Sequence, residues 1–216
     1  MKKSTFILAL LCLGLNTSYS QFSLGIKGAI SKTYVPATQK DFVNADPISL
    51  ARISVGEGET RKSFGMSLLG ENEKLFFMMD GLYSESSQKF KLVSSGLGRS
   101  ILDPALNFEY NSSNLRFIVT AGAKYKNFRI GAGPEISFVM NERETLSEVR
   151  GFQLIDSKYL GGFNFLLGYT LFDHIQLDVK YVKYFENIGS AYKFEGIPVD
   201  LKSSPYMLEF SLGFYL

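Results

Sequence analysis

The sequence predicts an all-β fold, and three features of its 216 residues support that prediction. Apolar and polar residues alternate with a period of two in about eight segments, as they do in strands that have one apolar face. No segment shows the spacing of a long amphipathic helix. Short and long links alternate between the segments, which is typical of an antiparallel up-and-down sheet with turns at one end and loops at the other.

The first 20 residues are predicted to be a cleaved signal peptide. Lys2 and Lys3 form a short positive region, the run Phe6–Leu15 is apolar, and small residues follow it. This is the order of features in a secretory signal, and the apolar run is too short for a membrane-spanning helix. The chain therefore divides into a signal peptide, 1–20, and an exported β-barrel domain, 21–216.

The composition of the mature domain excludes several classes of function. Cys12 is the only cysteine and lies inside the signal peptide, so the mature domain has no disulfide and no thiol chemistry. Two of the 23 basic residues, Lys2 and Lys3, are also removed, which leaves 21 against 21 acidic residues. A formally neutral domain argues against a nucleic-acid partner.

Each of the eight predicted strands has one face of large apolar residues. In the last, YMLEFSLGFYL, the residues Tyr206, Leu208 and Phe210 begin the apolar face, and polar or small residues form the other face. The fifth strand, FRIGAGPEISF, has the same pattern. The strands are predicted, in order, at Phe22–Ile30, Phe64–Leu69, Leu75–Tyr83, Leu115–Tyr125, Phe128–Phe138, Tyr159–Thr170, Ile175–Tyr181 and Tyr206–Leu216.

The links between these strands alternate in length. Three are short: 70–74, 126–127 and 172–174. Four are long and polar, and they cover about 35–60, 84–114, 141–158 and 186–204. Within the second long link, Phe90–Val93 and Ala105–Phe108 either pair as a hairpin above the membrane or add two strands to the barrel. The sequence therefore predicts eight strands and leaves ten open.

Two barrel architectures are compatible with this alternation. A soluble lipocalin-like barrel turns its apolar face inward to a ligand, whereas a membrane barrel turns it outward to lipid. The polar faces here are rich in Gly, Ser and Ala, which suits a narrow lumen, and a soluble protein would present Lys and Glu outward. We therefore predict an eight-stranded antiparallel up-and-down transmembrane β-barrel.

This orientation turns nine charged residues into the lumen. Because unpaired buried charges are costly, we predict that they form a structural ion-pair network that plugs the barrel. An eight-stranded barrel filled in this way has no room for a wide channel. The predicted lumen residues are Lys27, Asp80, Arg116, Lys124, Arg129, Glu135, Asp178, Lys180 and Glu209.

The order of the segments resembles the PorT-like family of outer-membrane β-barrel proteins. The likeness rests on KLFFMMDGLYS (Lys74–Ser84), FIVTAGAKYKNFRIGAGPEISF (Phe117–Phe138), GYTLFDHIQLDVKYVKYF (Gly168–Phe185) and the terminal LEFSLGFYL. The resemblance implies a fold, not an activity. It places the family's acidic residue of the third strand on Asp80 and that of the fifth strand on Glu135. The chain departs from the family in lacking an apolar-Pro start to its fourth strand.

Two features resemble chemical sites but are better explained by structure. Gly131-Ala132-Gly133 is half of a dinucleotide fingerprint, yet the third glycine is missing and a proline stands where a helix would begin. His174, the only histidine, falls in a short turn at the predicted periplasmic end, where it is distant from the outer leaflet. One histidine and no mature cysteine are too few ligands for a transition-metal site. The sequence therefore predicts no catalytic residue, cofactor or metal.

The predicted function is that of a non-enzymatic outer-membrane barrel with a plugged polar lumen and long surface loops. Such a protein would act in envelope structure, in adhesion, or as an accessory in secretion or assembly. The alternatives are a lipid-modifying barrel enzyme and a soluble lipocalin-like binding protein. The predicted partners are outer-membrane lipid and envelope or secretion proteins, and the predicted oligomeric state is a monomer.

Overall fold

The computed structural model of the protein describes most of the chain downstream of residue 20. The predicted signal peptide lies outside the described residues. The described ranges are 21–34, 39–43, 49–55, 60–93, 106–144, 152–154, 159–185, 192–194, 197–199 and 206–216.

Every regular element in the described part of the chain is a β-strand. Within it, no helix has the length and apolar character that crossing a bilayer requires. The strands are β1 (Gln21–Tyr34), β2 (Gln39–Val43), β3 (Ser49–Val55), β4 (Thr60–Glu71), β5 (Leu75–Val93), β6 (Leu106–Tyr125), β7 (Phe128–Glu144), β8 (Phe152–Leu154), β9 (Tyr159–Leu171), β10 (Ile175–Tyr184), β11 (Tyr192–Phe194), β12 (Ile197–Val199) and β13 (Tyr206–Tyr215).

Eight of these strands close into a single antiparallel barrel. The wall runs β1-β4-β5-β6-β7-β9-β10-β13, and β13 pairs with β1 to complete it. These are the eight segments that the alternation pattern predicts, so the predicted eight-stranded antiparallel barrel is confirmed. Six of the eight wall strands extend beyond their predicted bounds toward a long link, β5 and β6 by the most, whereas β9 and β13 begin at the predicted residues.

The hairpin above the barrel does not add strands to the wall. The segments Phe90–Val93 and Leu106–Phe108 are the far ends of β5 and β6, and they pair with each other, as in Leu92 with Leu106. The β2–β3 hairpin joins the same region through pairing of β3 with the last residues of β5. The short strands β8, β11 and β12 form a separate small sheet.

The register fixes the tilt of the barrel strands. Starting at Lys32 and following the paired residues around the wall leads to Leu208, Tyr181, Phe165, Ala132, Ala121, Phe77, Gly70 and finally Phe22. The path returns to β1 ten residues from its start, which is a shear number of 10. Strands in such barrels tilt by roughly 35–45° and enclose an interior that side chains fill.

Three tight connections define one end of the barrel, which we call the turn end; the opposite end is the loop end. At 72–74 the Asn72 side chain accepts hydrogen bonds from the amides of Lys74 and Leu75, at 2.9 and 2.7 Å. Lys126 in the second turn and Asp173 in the third have φ of 54° and 62°. These left-handed conformations let two strands reverse within a few residues.

The outer face of the wall is apolar and the inner face is polar. Ile26, Phe64 and Leu212 are 68, 64 and 55% exposed, whereas Lys27, Ser63 and Ser211 beside them in sequence are buried. A soluble lipocalin-like barrel has the opposite arrangement. The distribution of burial therefore argues against that alternative and matches a barrel whose exterior contacts lipid.

Candidate functional site

The half of the lumen toward the turn end contains a chain of alternating charges. Arg129 Nη2 lies 2.9 Å from Asp178 Oδ1, and the second oxygen of Asp178 lies 3.0 Å from Lys27 Nζ. Lys27 also lies 3.1 Å from Asp80, and Lys180 contacts the same carboxylate at 2.5 Å. All five side chains are fully buried, so each charge depends on its neighbours for compensation.

The chain of charges continues toward the loop end. Lys180 lies 3.7 Å from Glu209, and Glu209 lies 2.5 Å from Arg116 Nη1. The Nε of Arg116 donates to Glu135 at 2.9 Å. The Tyr184 hydroxyl donates to Glu135 at 3.1 Å and accepts from Arg61 at 3.3 Å. One connected network thus joins residues from seven of the eight wall strands, and β9 is the exception.

The structure brings eight of the nine predicted lumen residues into this network. The ninth, Lys124, lies at the turn-end rim, where it pairs with Glu71 at 2.6 Å. Both of these side chains are about one-fifth exposed. Sequence reasoning missed two members, Arg61 and Tyr184. Both would have been found by continuing the period-two pattern, from Ser63 back to Arg61 and from Lys180 on to Tyr184, because the strands extend beyond their predicted bounds.

Apolar side chains close the lumen on either side of the charges. One cluster lies at the turn end and consists of Leu69, Phe76, Met78, Leu166 and Tyr215. A second lies at the loop end and consists of Leu160, Val182, Tyr184 and Met207. The Arg129 guanidinium also lies over the Phe76 ring, 5.6 Å from its centre. The described lumen is therefore a packed interior in which the ion pairs have low dielectric surroundings.

Two glycines leave room for the network and its apolar neighbours. A Cβ on Gly131 would lie 2.6 Å from the Phe76 ring, and a Cβ on Gly168 would lie 2.5 Å from Asp178 Oδ1 and 3.1 Å from Arg129 Nη2. In the FRIGAGPEISF strand, Arg129 and Glu135 bind separate partners, Asp178 and Arg116. These glycines act as spacers beside buried side chains, and the arginine and glutamate do not form a pair.

We expect Gly168→Ala to lower the free energy of unfolding by about 1–3 kcal/mol, since the added methyl group overpacks the interior and displaces the Arg129–Asp178 pair. The matched control is Gly28→Ala on the outer face, where an added Cβ has nothing within 4 Å. Folded fraction against denaturant concentration in detergent micelles measures both variants. Equal stability of the two would contradict the spacer role of Gly168.

His174 belongs to the turn end of the barrel. It is exposed, and its Nδ1 lies 3.1 Å from the backbone oxygen of Tyr215. Its ring also lies near that of Phe214, with centres 6.3 Å apart. These contacts tie the 172–174 turn to the last strand. Among the described residues, no group of three or more His, Cys, Asp or Glu is arranged to hold a metal ion.

No protein-family model matches the chain, and no curated protein matches its sequence. Among solved structures, the outer membrane protein OprG from Pseudomonas aeruginosa matches with a TM-score of 0.56 at 12% identity, over 92% of this chain and 97% of that one. Neisserial surface protein A matches with a TM-score of 0.41 at 11% identity, over 91% of this chain and 99% of that one. The outer membrane protease OmpT from Escherichia coli matches with a TM-score of 0.40 at 9% identity, over 91% of this chain and 96% of that one.

The likeness to OprG concerns the fold. Its coverage of both chains is nearly complete, and it agrees with the closed eight-stranded wall and the outward apolar face described above. This chain therefore has the fold of an outer-membrane β-barrel.

Proposed function

We propose that the protein is a non-enzymatic barrel of the outer membrane that acts in envelope structure, in adhesion, or as an accessory in secretion or assembly. The observation that carries the proposal is the combination of an apolar exterior with a lumen filled by a connected ion-pair network. An exterior of exposed Phe, Leu and Ile is stable when lipid covers it. A filled lumen suits a protein whose surface loops, not a channel, carry its function.

We also propose that the protein is exported through a cleaved signal peptide and belongs to the PorT-like family. A cleaved signal peptide, 1–20, would deliver the chain to the envelope, and lipid is then its first partner. The proposed membership of the PorT-like family rests on the four sequence segments quoted above, two of which contain Asp80 and Glu135. Both acids lie in the lumen network, Asp80 against Lys27 and Lys180, and Glu135 against Arg116.

Cell fractionation and gel mobility test this proposal. We expect the protein in the outer-membrane fraction, with a faster or slower band in SDS before boiling than after it, because closed barrels resist SDS until heated. A protein that stays in the soluble periplasmic fraction without a heat-dependent shift would overturn the proposal.

The lipid-modifying enzyme is tested on the same cells. Because His174 lies at the turn end and contacts backbone, we expect cells with and without the protein to have the same lipid A acyl composition. A defined acyl change that His174→Ala abolishes would contradict a non-enzymatic role.

A further inference from the structure

The pairing of β6 with β7, which we call the β6–β7 seam, is interrupted inside the apolar belt of the barrel. Val119 and Thr120 of β6 have no paired residue on β7, although the pairs on either side of them, such as Ala121 with Ala132, keep one register. Over the residues that the structure describes, the other seven wall pairs have no such gap. The break is therefore a local loss of pairing and not a shift of register.

Pro134 explains this break. In the register of the seam it lies opposite Val119, and proline has no N–H with which to donate a ladder hydrogen bond. The carbonyl of Val119 therefore loses the donor that another residue at position 134 would provide, in a wall where lipid cannot replace it. Proline within a sheet normally lies on an edge strand. A closed barrel has no edge, so another group must compensate for Pro134.

The side chain of Asn164 provides the missing donor from inside the barrel. Asn164 lies on β9, where it pairs with Gly133 of β7, and it is fully buried. Its Nδ2 lies 3.2 Å from the backbone oxygen of Val119 and 2.7 Å from that of Gly133. Its Oδ1 accepts a hydrogen bond from Thr120 Oγ1 at 2.9 Å, which fixes the orientation of the amide. Asn164 thus reaches across β7 to β6 and binds both strands of the seam.

Small residues flank the break on both faces of the wall. On the inner face, a Cβ on Gly133 would collide with the carbonyl oxygen of Val119, so a glycine is needed where Asn164 crosses β7. On the outer face, the neighbouring residues Ala121 and Pro134 are exposed. At this point a side-chain amide therefore takes the place of a backbone donor in holding the two strands together.

We propose that the wall opens locally at the β6–β7 seam, and that the Asn164 side chain is the latch that keeps this seam closed. A side-chain amide can rotate away while the strands stay in place, whereas a ladder hydrogen bond breaks when the backbone moves. Toward the loop end, five residue pairs separate the break from the β-bulge between Ser113 and Asn114. The segment between these two irregularities is the unit that opens. The Arg116–Glu135 ion pair within it links the seam to the lumen network.

Hydrogen–deuterium exchange of the refolded, full-length mature domain in detergent micelles tests the proposal. We expect the seam segments 114–121 and 132–139 to exchange faster than 62–68 and 79–85 of the uninterrupted β4–β5 pair. Asn164→Leu should raise exchange at the β6–β7 seam at least about tenfold, since the Val119 carbonyl is left buried without a donor. Thr170→Val is the matched control on the inner face of the same strand. Its hydroxyl is buried and makes no hydrogen bond, so this variant should exchange like the parent.

Pro134→Ala provides the decisive comparison, because alanine restores an N–H opposite Val119. In this background Asn164→Leu should change exchange at the seam less than about threefold, since the ladder no longer depends on the latch. Thr120→Val gives the same comparison with a smaller change, because it removes the hydroxyl that orients the amide. An equal effect of the latch variants with and without Pro134 would overturn the role of Asn164. A parent seam that exchanges no faster than the β4–β5 pair would overturn the local opening.

Discussion

Asp80→Asn is expected to lower the free energy of unfolding by about 3–5 kcal/mol, which is the range for removing one partner of a buried ion pair. Asp80 lies against two ammonium groups, those of Lys27 and Lys180, and accepts a hydrogen bond from Ser67. The amide has the same shape but no charge. Lys27 would keep Asp178, and Lys180 would keep only Glu209 at 3.7 Å.

The measurement is the folded fraction against denaturant concentration in micelles. The sequence has no tryptophan, so the heat-dependent gel shift and circular dichroism report folding. Asp173→Asn is the matched control, because Asp173 is exposed in a turn and asparagine tolerates its left-handed conformation. Equal effects of the two substitutions would show that the network contributes no more than a surface charge.

The wall of the barrel was predictable from sequence because alternation is a local property. Each strand reveals its two faces by its own residues, as in the terminal strand, where Glu209 and Ser211 lie inward between exposed Phe210 and Leu212. The strand ends were less predictable. Beyond the apolar belt, both faces of a strand have polar surroundings. The loop-end residues of β5 and β6 therefore lack the alternation of apolar and polar residues that identifies a strand in lipid.

The pairing of the network was not predictable, since it depends on register. Sequence spacing shows that Arg129 and Glu135 are too far apart on one strand to pair, but it does not show which strand supplies their partners. The shear of the barrel brings Asp178 to Arg129 and Arg116 to Glu135. The same uncertainty about register explains why Lys124 was wrongly placed in the network. It lies on the inner face but next to the end of β6, so its side chain reaches the turn-end rim and pairs with Glu71.

The number of wall strands, eight or ten, also depends on the register. The segments around Phe90 and Phe108 have the composition of new strands, yet they continue the pairing of β5 with β6 without a break. A hairpin that continues two existing strands leaves the number of wall strands unchanged. The β-bulge in the β6–β7 pair between Ser113 and Asn114 lies where the wall passes into this extension, and bulges commonly occur at barrel rims.

Leu212→Arg is expected to destabilise the barrel by about 2–4 kcal/mol in a lipid bilayer, whereas Leu208→Arg on the same strand should cost only about 0–1 kcal/mol. Leu212 lies in the middle of the apolar face of β13, between Gly28 and Leu177 on the adjacent strands. Leu208 lies between Lys32 and Tyr181, near the loop end of β13 and close to the border of the apolar face. Depth in the bilayer is therefore the main difference between the two positions.

Urea titration of both variants in phospholipid vesicles measures this difference, and the same titration without lipid, in a short-chain detergent, provides the reference. If lipid covers the outer face, Leu212→Arg should be less stable than Leu208→Arg, and this difference in the free energy of unfolding should be larger in vesicles than in detergent. A bilayer has a fixed apolar thickness, whereas a small micelle deforms around a charge. If the two arginines were tolerated equally in vesicles, water would have access to the middle of β13, and a membrane-spanning wall would be the wrong interpretation of its exposed leucines.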